Sequence, residues 1–495
     1  MSKQPNIIFF MTDQQRHDAL GSANPVVKTP NLDALAARGI RYDQTVCNIP
    51  MCVPSRYSMM LGLYGSQCGV RHNTQFIPRD SELPHAPLPE QLRQAGYQTA
   101  GFGKTHWWPG PIWPELELEQ STRGFETRAI ARAEKHGEWE PGCLLMGDDN
   151  PVGYEKLEKE TEPFGGGQES HLGYQGCTSQ VDIKDHWEGW LTDQAIKFLD
   201  SQKDPNRPLF LYLSFDAPHA GFNVPRKYEE MYNIDEIPDR LTPDWKERPP
   251  SHSHIFDSHK EKLWQEMSAE ERRRTTLRYY AECSFVDDMF GRVVDKIEEM
   301  GELDNTMFVF LSDHGEMLGD RHYDFSKYCL YEGSVRVPLI MAGPMIPKHK
   351  QGTVDSRYTE LIDILPTFLE MAGQPIPPEL PGESLLQEPC RIGSFSEMHG
   401  SGYEEYQIAP AYMWRTKEWK LILKVYGSIE KAHSRISGSF GELYQLSQDP
   451  NEWYNLYDNA EYFAIRERLT RELLLHLACC WAKSPHQPSK ALLRE

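Results

Sequence analysis

Polar side chains that can bind a metal ion or transfer protons follow four apolar segments of the sequence. They are Asp13 and Gln14 after the first segment, Lys104 and His106 after the second, His219 after the third, and Asp313 and His314 after the fourth. Carboxylates, imidazoles and an amide are suitable ligands for a divalent cation, and a lysine favours an anionic substrate. The set therefore indicates a metal-assisted reaction on an anion.

Each of these residues also has an ordinary structural interpretation. Asp13 could cap a helix, and His219 could be a hydrogen-bonded structural histidine. The run Gly103-Lys104-Thr105 suggests a phosphate-binding loop, but that motif requires a glycine where this chain has Gln98. The joint placement of the residues, and not any one of them, favours a functional site.

The elements that must position these side chains can be predicted from the apolar pattern. Four short, almost continuously apolar runs are typical of strands buried on both faces of a parallel sheet: Ile7–Met11, Tyr97–Phe102, Leu209–Ser214 and Met307–Leu311. Helical patterns alternate with them at Asn31–Arg38, Leu88–Ala95, Trp187–Gln202 and Arg274–Met300. This alternation predicts an α/β fold with a mostly parallel sheet. Ligands of such sheets bind beyond the carboxyl ends of the strands, where the polar clusters would meet.

Changes in composition predict the domain organisation. The stretch Gly110–Asp185 is rich in Gly, Glu and Trp and is predicted to be an insertion lining one side of the fold. A proline cluster begins at Pro375. We predict a catalytic domain of residues 1–375 and a C-terminal subdomain of residues 376–495. The subdomain would contain a small antiparallel sheet, a turn-rich segment Leu443–Leu456 and a terminal helix Tyr462–Trp481.

The strongest local signal is Cys52-Val53-Pro54-Ser55-Arg56. One interpretation is a buried cysteine before a helix that begins near a proline. The other is a nucleophilic cysteine whose pKa is lowered at a helix N-terminus, where an anion would also bind. The residue pattern alone leaves both open.

Charge and cysteine content exclude several classes of protein. The 495 residues include 52 Lys and Arg against 73 Asp and Glu, a net charge of −21. This acidity argues against a nucleic-acid partner and against docking on an anionic membrane. The apolar run Ile7–Met11 is too short for a signal peptide or a membrane span, so we expect a cytoplasmic protein. The 10 cysteines form no C-x-x-C pair, so neither a disulfide scaffold nor a structural zinc site is expected.

The segment from Cys52 to Arg56 resembles the C-x-P-S-R signature of the type I sulfatases, which belong to the alkaline-phosphatase-like superfamily. Further elements match in the same order: Pro5-Asn6-Ile7-Ile8, Thr12-Asp13-Gln14-Gln15, Thr29-Pro30-Asn31-Leu32-Asp33, Gly103-Lys104-Thr105-His106, Pro218-His219, Ser312-Asp313-His314-Gly315-Glu316, Lys327, Arg336-Val337-Pro338 and Glu442-Leu443-Tyr444. The resemblance therefore extends along almost the whole chain and implies an alkaline-phosphatase-like fold.

The resemblance also implies the cofactors. Cys52 would be oxidised to formylglycine (3-oxoalanine) by a formylglycine-generating enzyme. One divalent cation would be bound by Asp13, Gln14, Asp313, His314 and the modified Cys52. Ca²⁺ is the usual ion of the family. The pair Gln14 and His314 is similar to the choline-sulfatase and phosphonate-monoester-hydrolase branches, some of which use Mn²⁺, so Mn²⁺ stays open.

The reaction implied is hydrolysis of a sulfate monoester of a sugar or of a small organic or aryl alcohol. The cation, Arg56, Lys104 and Lys327 would neutralise the sulfuryl oxygens. His219, together with Lys327, would protonate the leaving alcohol, and His106 would deprotonate the second hydroxyl of the hydrated formylglycine.

Two alternatives and the substrate stay open. The alternatives are a phosphonate monoester or phosphodiester hydrolase on the same scaffold, and a non-catalytic binder of sulfated ligands that keeps Cys52 as a thiol. Side chains that could contact the leaving group are Trp113, Trp139, His171, Trp187, Arg71-His72-Asn73 and His399.

Overall fold

The structure of the chain is a computed structural model that describes residues 4–77, 79–107, 121–132, 143–161, 176–245, 258–400, 410–424 and 440–483. Trp113, Trp139 and His171, named above as possible contacts of the leaving group, lie outside the described residues.

The strands are β1 (Asn6–Thr12), β2 (Gly39–Tyr42), β3 (Thr45–Val46), β4 (Gln98–Gly103), β5 (Thr127–Ile130), β6 (Leu144–Leu145), β7 (Cys177–Ser179), β8 (Leu209–Ser214), β9 (Asn223–Pro225), β10 (Thr306–Ser312), β11 (Leu339–Ala342), β12 (Thr353–Asp355), β13 (Thr359–Glu360), β14 (Ser394–Met398), β15 (Ala411–Arg415), β16 (Trp419–Lys424) and β17 (Phe440–Gln445).

The α-helices are α1 (Pro30–Arg38), α2 (Cys52–Leu61), α3 (Gly65–Cys68), α4 (Leu88–Gln94), α5 (Met146–Asp149), α6 (Pro151–Thr161), α7 (Trp187–Ser201), α8 (Arg226–Glu229), α9 (Ser258–Glu266), α10 (Ala269–Glu299), α11 (Asp320–Tyr323), α12 (Glu332–Val335), α13 (Ile364–Met371) and α14 (Phe463–Lys483). None of the helices formed by the described residues combines the length and the apolar character needed to cross a bilayer.

The main sheet is mostly parallel, which confirms the predicted α/β fold. In the described residues its strand order is β12-β2-β11-β10-β1-β8-β4-β5-β6. The central strand β1 pairs in parallel with β10 and β8, and β8 pairs in parallel with β4. Strand β11 is antiparallel to both of its neighbours.

The strand register places four strand ends at one edge of the sheet. Thr12 of β1 lies opposite Ser312 of β10, and Met11 lies opposite Ser214 of β8. Ser214 in turn lies opposite Gly103 of β4. The polar residues that follow these four strands therefore emerge side by side, as expected for a site beyond the carboxyl ends of a parallel sheet.

Apolar layers cover both faces of the sheet. Because successive side chains of a strand point to opposite faces, Phe9 faces one layer and Phe10 the other. The Phe9 ring lies 5.1 Å from the Phe368 ring of α13, and the Phe10 ring lies 5.2 Å from the Phe290 ring of α10. Helices α2 and α13 pack on the first face, and α1, α7 and α10 on the second, so the sheet is a rigid support for the residues at its edge.

The stretch predicted to be an insertion contributes in part to the main sheet. Strand β5 pairs in parallel with β4, and β6 pairs with β5. These strands have four and two residues, which is too short for the apolar pattern to distinguish them from loop. Residues 127–130 and 144–145 thus extend the main sheet, and the interpretation of Gly110–Asp185 as an insertion stays a prediction.

The C-terminal part contains a second sheet, with antiparallel order β14-β15-β16-β17, and the terminal helix α14. Leu469 and Leu473 of α14 pack with Trp414 and Leu421 of this sheet. Part of the segment predicted to be turn-rich forms β17 instead, because Leu443 and its neighbours pair with β16. The predicted small antiparallel sheet and terminal helix are present, and the domain boundary at residue 375 stays a prediction.

Candidate active site

Cys52 is the first residue of α2 and lies at the centre of the cluster of polar residues. Met51 before it is extended, with φ −154° and ψ 145°. Pro54 falls in the first turn, where a missing N–H removes no helical hydrogen bond. The Val53 N–H, which has no partner within the helix, donates to Asn73 Oδ1 at 3.2 Å. The Cys52 side chain is therefore held at a helix N-terminus and is almost fully buried.

Four side chains of types that can bind a metal ion meet at this point. The candidate ligand atoms of Asp13, Cys52, Asp313 and His314 all lie within 4.8 Å of one another, and all four residues are buried. Cys52 Sγ lies 3.2 Å from His314 Nε2 and 3.6 Å from Asp13 Oδ1. Two carboxylates, an imidazole and the side chain of residue 52 are a donor set that fits one divalent cation.

The His314 ring is oriented for metal binding. Its Nδ1 donates to the Gly315 carbonyl at 3.0 Å, which leaves the lone pair of Nε2 directed at the cluster. Burial lowers the pKa of His314, and the nearby Lys327 charge acts in the same direction. A neutral imidazole with a fixed tautomer is the form that coordinates a metal.

Gln14 lies beside the four-residue cluster in a strained backbone conformation with φ 70°. Its N–H donates to Asp313 Oδ1 at 3.1 Å, and its side-chain Nε2 donates to Glu316. Its Oε1 accepts from Lys327 Nζ at 2.7 Å. These contacts assign the amide orientation and present the oxygen toward the site. Sequence reasoning did not assign a role to Glu316, although this residue lies in the same motif as Asp313.

Two buried lysines bring positive charge to the site. Lys327 Nζ lies 3.0 Å from Cys52 Sγ. Lys104 Nζ pairs with Asp13 at 2.8 Å and with Asp216 at 3.1 Å. Burial alone would lower the pKa of each lysine, but the neighbouring negative groups outweigh it and raise both pKa values. Both side chains are therefore ammonium ions, suited to bind an anionic substrate.

Arg56 lies beneath the site. Its Nε pairs with Asp313 at 2.8 Å, and its Nη2 pairs with Asp13 at 3.2 Å. Its Nη1 donates to the Lys104 carbonyl at 2.6 Å and to Ser214 Oγ at 3.0 Å. The side chain is fully buried and all of its nitrogens are engaged. This guanidinium therefore holds the two carboxylates in place, and the expectation that its charge neutralises the sulfuryl oxygens stays a prediction.

His219 and His106 occupy loops that follow β8 and β4. His219 Nδ1 donates to the Ala220 carbonyl at 2.7 Å, so its Nε2 is the atom left to face a substrate. Burial, together with the positive charge of Lys327, lowers the pKa of His219 well below its usual value. His106 lies three residues after β4 with φ 57° and is half-buried.

The thiol of Cys52 is not activated by its position. Burial raises its pKa to about 11, and the Asp13 charge adds to this effect. Burial and a neighbouring carboxylate thus outweigh the helix dipole, so of the two interpretations left open by the residue pattern this pKa favours the buried cysteine.

One supporting carboxylate was missed at the level of the sequence. Glu188, at the start of α7, is buried and accepts from the Ala217 N–H at 3.1 Å, which fixes the loop that carries His219. It lies on the buried face of an amphipathic helix, and the pattern of that helix does not distinguish it from a solvated residue.

Two family models match the chain. The model described as Sulfatase matches residues 5–374. The model described as N-sulphoglucosamine sulphohydrolase, C-terminal, matches residues 319–478. The two matches overlap and together span most of the chain.

Curated relatives match along almost their full length. An arylsulfatase of Clostridium perfringens is 29% identical, over 93% of this chain and 91% of the relative. An N-acetylglucosamine-6-O-sulfatase of Bacteroides thetaiotaomicron is 27% identical, over 95% of this chain and 86% of the relative.

Solved structures share the fold. A phosphonate monoester hydrolase of Agrobacterium radiobacter superposes with a TM-score of 0.73 at 22% identity, over 96% of each chain. A protein solved in complex with its substrate D-glucosamine-2-N,6-O-disulfate gives a TM-score of 0.72 at 22% identity, over 98% of this chain and 100% of that chain. With the sulfatase model covering residues 5–374 and the motif residues gathered in one buried cluster, the chain belongs to the sulfatase family, the enzymes that hydrolyse sulfate esters.

Proposed function

We propose that this enzyme cleaves the sulfate monoester of a saccharide or of a small organic or aryl alcohol, with residue 52 as formylglycine. The observation that carries the proposal is the position of Cys52, at a buried helix N-terminus within reach of the ligand atoms of Asp13, Asp313 and His314. Membership in the sulfatase family implies a divalent metal and a formylglycine in general.

The residues that would hold the cation are Asp13, Gln14, Asp313, His314 and residue 52. We propose Ca²⁺, because carboxylate and amide oxygens dominate this set, and His314 makes Mn²⁺ the ion to compare with it. When bound, the cation would supply a Lewis acid. The hydrated aldehyde would supply an attacking hydroxyl and, beside it, a second hydroxyl.

The two lysines would bind the sulfuryl group. Lys327 Nζ is already 3.0 Å from the side chain of residue 52, and Lys104 Nζ bridges Asp13 and Asp216. Preorganised ammonium groups in a buried site stabilise negative charge that develops on a reacting anion. Arg56 would act through Asp13 and Asp313, which it positions, and would not contact substrate.

Two histidines would move protons. His219 Nε2 would take up a proton when the anionic substrate enters, and would donate it to the leaving oxygen. His106 would accept a proton from the second hydroxyl at residue 52, which allows sulfate to leave.

A phosphonate monoester or phosphodiester hydrolase is the second candidate. Gln14 and His314 favour it, and Lys104 with His106 favour a sulfatase. The test is the ratio of kcat/KM for 4-nitrophenyl sulfate and 4-nitrophenyl phenylphosphonate on one preparation, made with a formylglycine-generating enzyme and supplied with Ca²⁺ or Mn²⁺. We expect the sulfate to be preferred and Cys52→Ala to abolish its turnover. Preference for the phosphonate, or turnover retained by the variant, would contradict the proposal.

The modification itself is tested on the tryptic peptide Tyr42–Arg56. This peptide contains Cys47 as well as Cys52, so it carries its own control. We expect aldehyde at position 52 and a thiol at position 47. If residue 52 keeps its thiol after co-expression with the maturing enzyme, the chain is a binder of sulfated ligands and not a formylglycine enzyme.

A further inference from the structure

Arg71 carries a positive charge that no described residue neutralises. None of the ion pairs formed by the described residues involves its guanidinium, and its buried Nε has no hydrogen-bond partner there. Its backbone N–H donates to Gln75 Oε1 at 2.8 Å, which fixes the loop but leaves the charge unmatched. The residue is half-buried. Buried arginines such as Arg56 and Arg415 are paired with carboxylates, whereas the half-buried Arg71 forms no ion pair with a described residue and can bind an anion from outside.

Arg71 lies close to the reacting residue. It is two residues from Asn73, whose Oδ1 accepts from the N–H of Val53, the neighbour of Cys52. Asn73 Nδ2 also donates to the hydroxyl of Tyr328, the neighbour of Lys327, at 3.4 Å. Because a chain extends by at most about 3.6 Å per residue, the Arg71 backbone lies within roughly 7 Å of that of Asn73. The loop therefore carries Arg71 to the rim of the active site.

His399 approaches the same region from the C-terminal side. The Glu397 N–H donates to the Asn48 carbonyl at 2.8 Å, which holds the end of β14 beside the segment that leads to Cys52. His399 Nε2 bonds to Glu397 Oε2 at 2.8 Å, so its Nδ1 is the ring atom directed away from that carboxylate. Glu397 also accepts from the Ser66 N–H at 2.8 Å, so this carboxylate is hydrogen-bonded both to His399 and to the backbone of Ser66.

Tyr412 joins the two residues. The His399 ring lies edge-on to the Tyr412 ring, with centroids 6.1 Å apart. Burial and the Glu397 charge raise the pKa of Tyr412 to about 12, and the Arg71 charge opposes that rise, which indicates that both charges lie near this phenol. Arg71, His399 and Tyr412 thus form one patch, which also contains the Glu397 carboxylate.

We propose that Arg71 and His399 form a leaving-group subsite that binds a second anionic group, a carboxylate or a sulfate, on the alcohol that carries the scissile sulfate ester. The inference rests on the proposed function and narrows its substrate class to sulfate esters of acidic saccharides or acidic small molecules. A guanidinium binds a carboxylate or sulfate through two parallel hydrogen bonds, and a protonated His399, held at Nε2 by Glu397, would donate a third from Nδ1.

The kinetic test compares three chromogenic probes of the same shape: 4-nitrophenyl sulfate, 3-carboxy-4-nitrophenyl sulfate and its 3-sulfo analogue. For the wild-type enzyme we expect kcat/KM to be about tenfold or more higher for an acidic probe than for the neutral one, since charge-assisted hydrogen bonds discriminate by roughly that factor. The carboxy and sulfo probes distinguish the two kinds of anion. The preference should decrease at high ionic strength.

Variants assign the preference to the patch. Arg71→Gln should bring the acidic-to-neutral ratio close to one, whereas Arg71→Lys should keep part of it. The exposed Arg38→Gln, which removes the same charge elsewhere, should leave the ratio unchanged. No preference in the wild type, or a ratio that Arg71→Gln does not alter, would overturn the proposal.

A binding measurement separates this proposal from the proposed function. In the Cys52→Ala protein the probes stay intact, and calorimetry should give tighter binding of an acidic probe than of 4-nitrophenyl sulfate. Adding Arg71→Gln should remove the difference. If the wild type cleaves no sulfate ester but this difference is present, the catalytic proposal fails and the anion subsite stands. If the Cys52→Ala protein binds the acidic probe and 4-nitrophenyl sulfate with equal affinity, the subsite proposal is wrong, whether or not the enzyme is active.

Discussion

Buried charges of the site are arranged as alternating ion pairs. Arg56 bridges Asp13 and Asp313, and Lys104 bridges Asp13 and Asp216. A buried charge that loses its partner destabilises a protein by several kcal/mol, so these residues serve the fold and the chemistry together. Substitutions that leave these pairs intact therefore test function without also destabilising the fold, and Lys327 and His219 allow two such substitutions.

Lys327→Met removes an ammonium that contacts Cys52 Sγ and Gln14 Oε1 without separating any of these pairs. We expect kcat for a sulfate ester to fall roughly 10²–10³-fold, the loss typical of one preorganised donor to a developing anion. The measurement is steady-state kinetics, with Lys348→Met, an exposed lysine, as the control. Wild-type kcat in the Lys327 variant would remove this residue from the proposed mechanism.

The substitution His219→Gln tests whether His219 donates a proton to the leaving group, by comparing substrates whose leaving groups differ in their need for protonation. Alkoxides need protonation as they leave and 4-nitrophenolate does not, so the variant should lose far more activity on a sugar sulfate than on 4-nitrophenyl sulfate. We expect the two losses to differ by about 10²-fold, within the usual contribution of general acid catalysis. His349→Gln, at an exposed position, is the control. Equal losses on both substrates would contradict the role as an acid.

The residues of the site could be predicted because their types and their order are visible in the sequence. Their contacts could not be predicted, because contacts depend on the folded structure. Asp13, Asp313 and His314 meet as expected from strand ends that share an edge. The inward position of Arg56 depends on the depth of the pocket, which follows from packing of α2 on the sheet and has no local signal. For the same reason, the burial that raises the pKa of Cys52 could not be predicted, and the residue pattern left both interpretations of this cysteine open.

At the scale of elements, helix α1 is capped by a distant helix. Its N-terminal amides Asn31 N and Leu32 N donate to the Asp287 carboxylate of α10, at 3.1 and 2.7 Å. The Asn31 side chain donates to the same carboxylate at 2.9 Å. Gly291, one turn further along α10, permits this approach, since a Cβ there would lie 2.6 Å from Asn31 Cγ. This contact joins α1 to the longest helix on that face of the sheet.

Asp287→Ala should lower the free energy of unfolding by about 1–3 kcal/mol, because buried N-terminal amides of α1 lose their acceptor. Urea denaturation measures this value. Asp295→Ala, at an exposed position of the same helix, should change it by less than about 0.5 kcal/mol. If both variants unfold like the wild type, the carboxylate contributes nothing to holding α1.

Long, strongly patterned elements could be predicted from the sequence and short ones could not. Strands β1, β4, β8 and β10 start and end within one residue or so of the apolar runs. Strands such as β2 and β5 have four residues each and are specified by their neighbours in the sheet, not by their own pattern. Helix α10 begins at Ala269, five residues before the predicted start, because Ser268 and Glu271 form a capping box there.

At the scale of the whole molecule, a buried ionic network connects the C-terminal sheet to the part that carries the site. Glu332 of α12 pairs with Arg415 of β15 at 2.8 Å and with Lys420 of β16 at 2.7 Å. Arg336 is a third partner, at 3.3 Å, and Lys420 also pairs with Glu452 at 2.7 Å. One carboxylate thus neutralises three cations from two parts of the fold.

The network predicts an acid-sensitive contribution to stability. Burial alone would raise the pKa of Glu332, but Arg415, Lys420 and Arg336 hold it well below the usual value. A carboxylate with a depressed folded-state pKa stabilises the fold above its unfolded pKa, about 4.3, and that contribution is lost as pH falls below it.

Glu332→Gln should lower the free energy of unfolding near pH 7 by about 3–5 kcal/mol, because it leaves the buried Arg415 without its counter-charge and Lys420 with Glu452 alone. The deficit relative to wild type should shrink as the pH is lowered from about 5 toward 3, since the wild-type carboxylate then loses its own advantage. Urea unfolding curves at a series of pH values measure both effects, with the exposed Glu298→Gln as the matched control. A deficit that stays constant across this pH window would mean that the Glu332 charge does not hold the C-terminal sheet in place, and that packing of Trp414 and its neighbours does so alone.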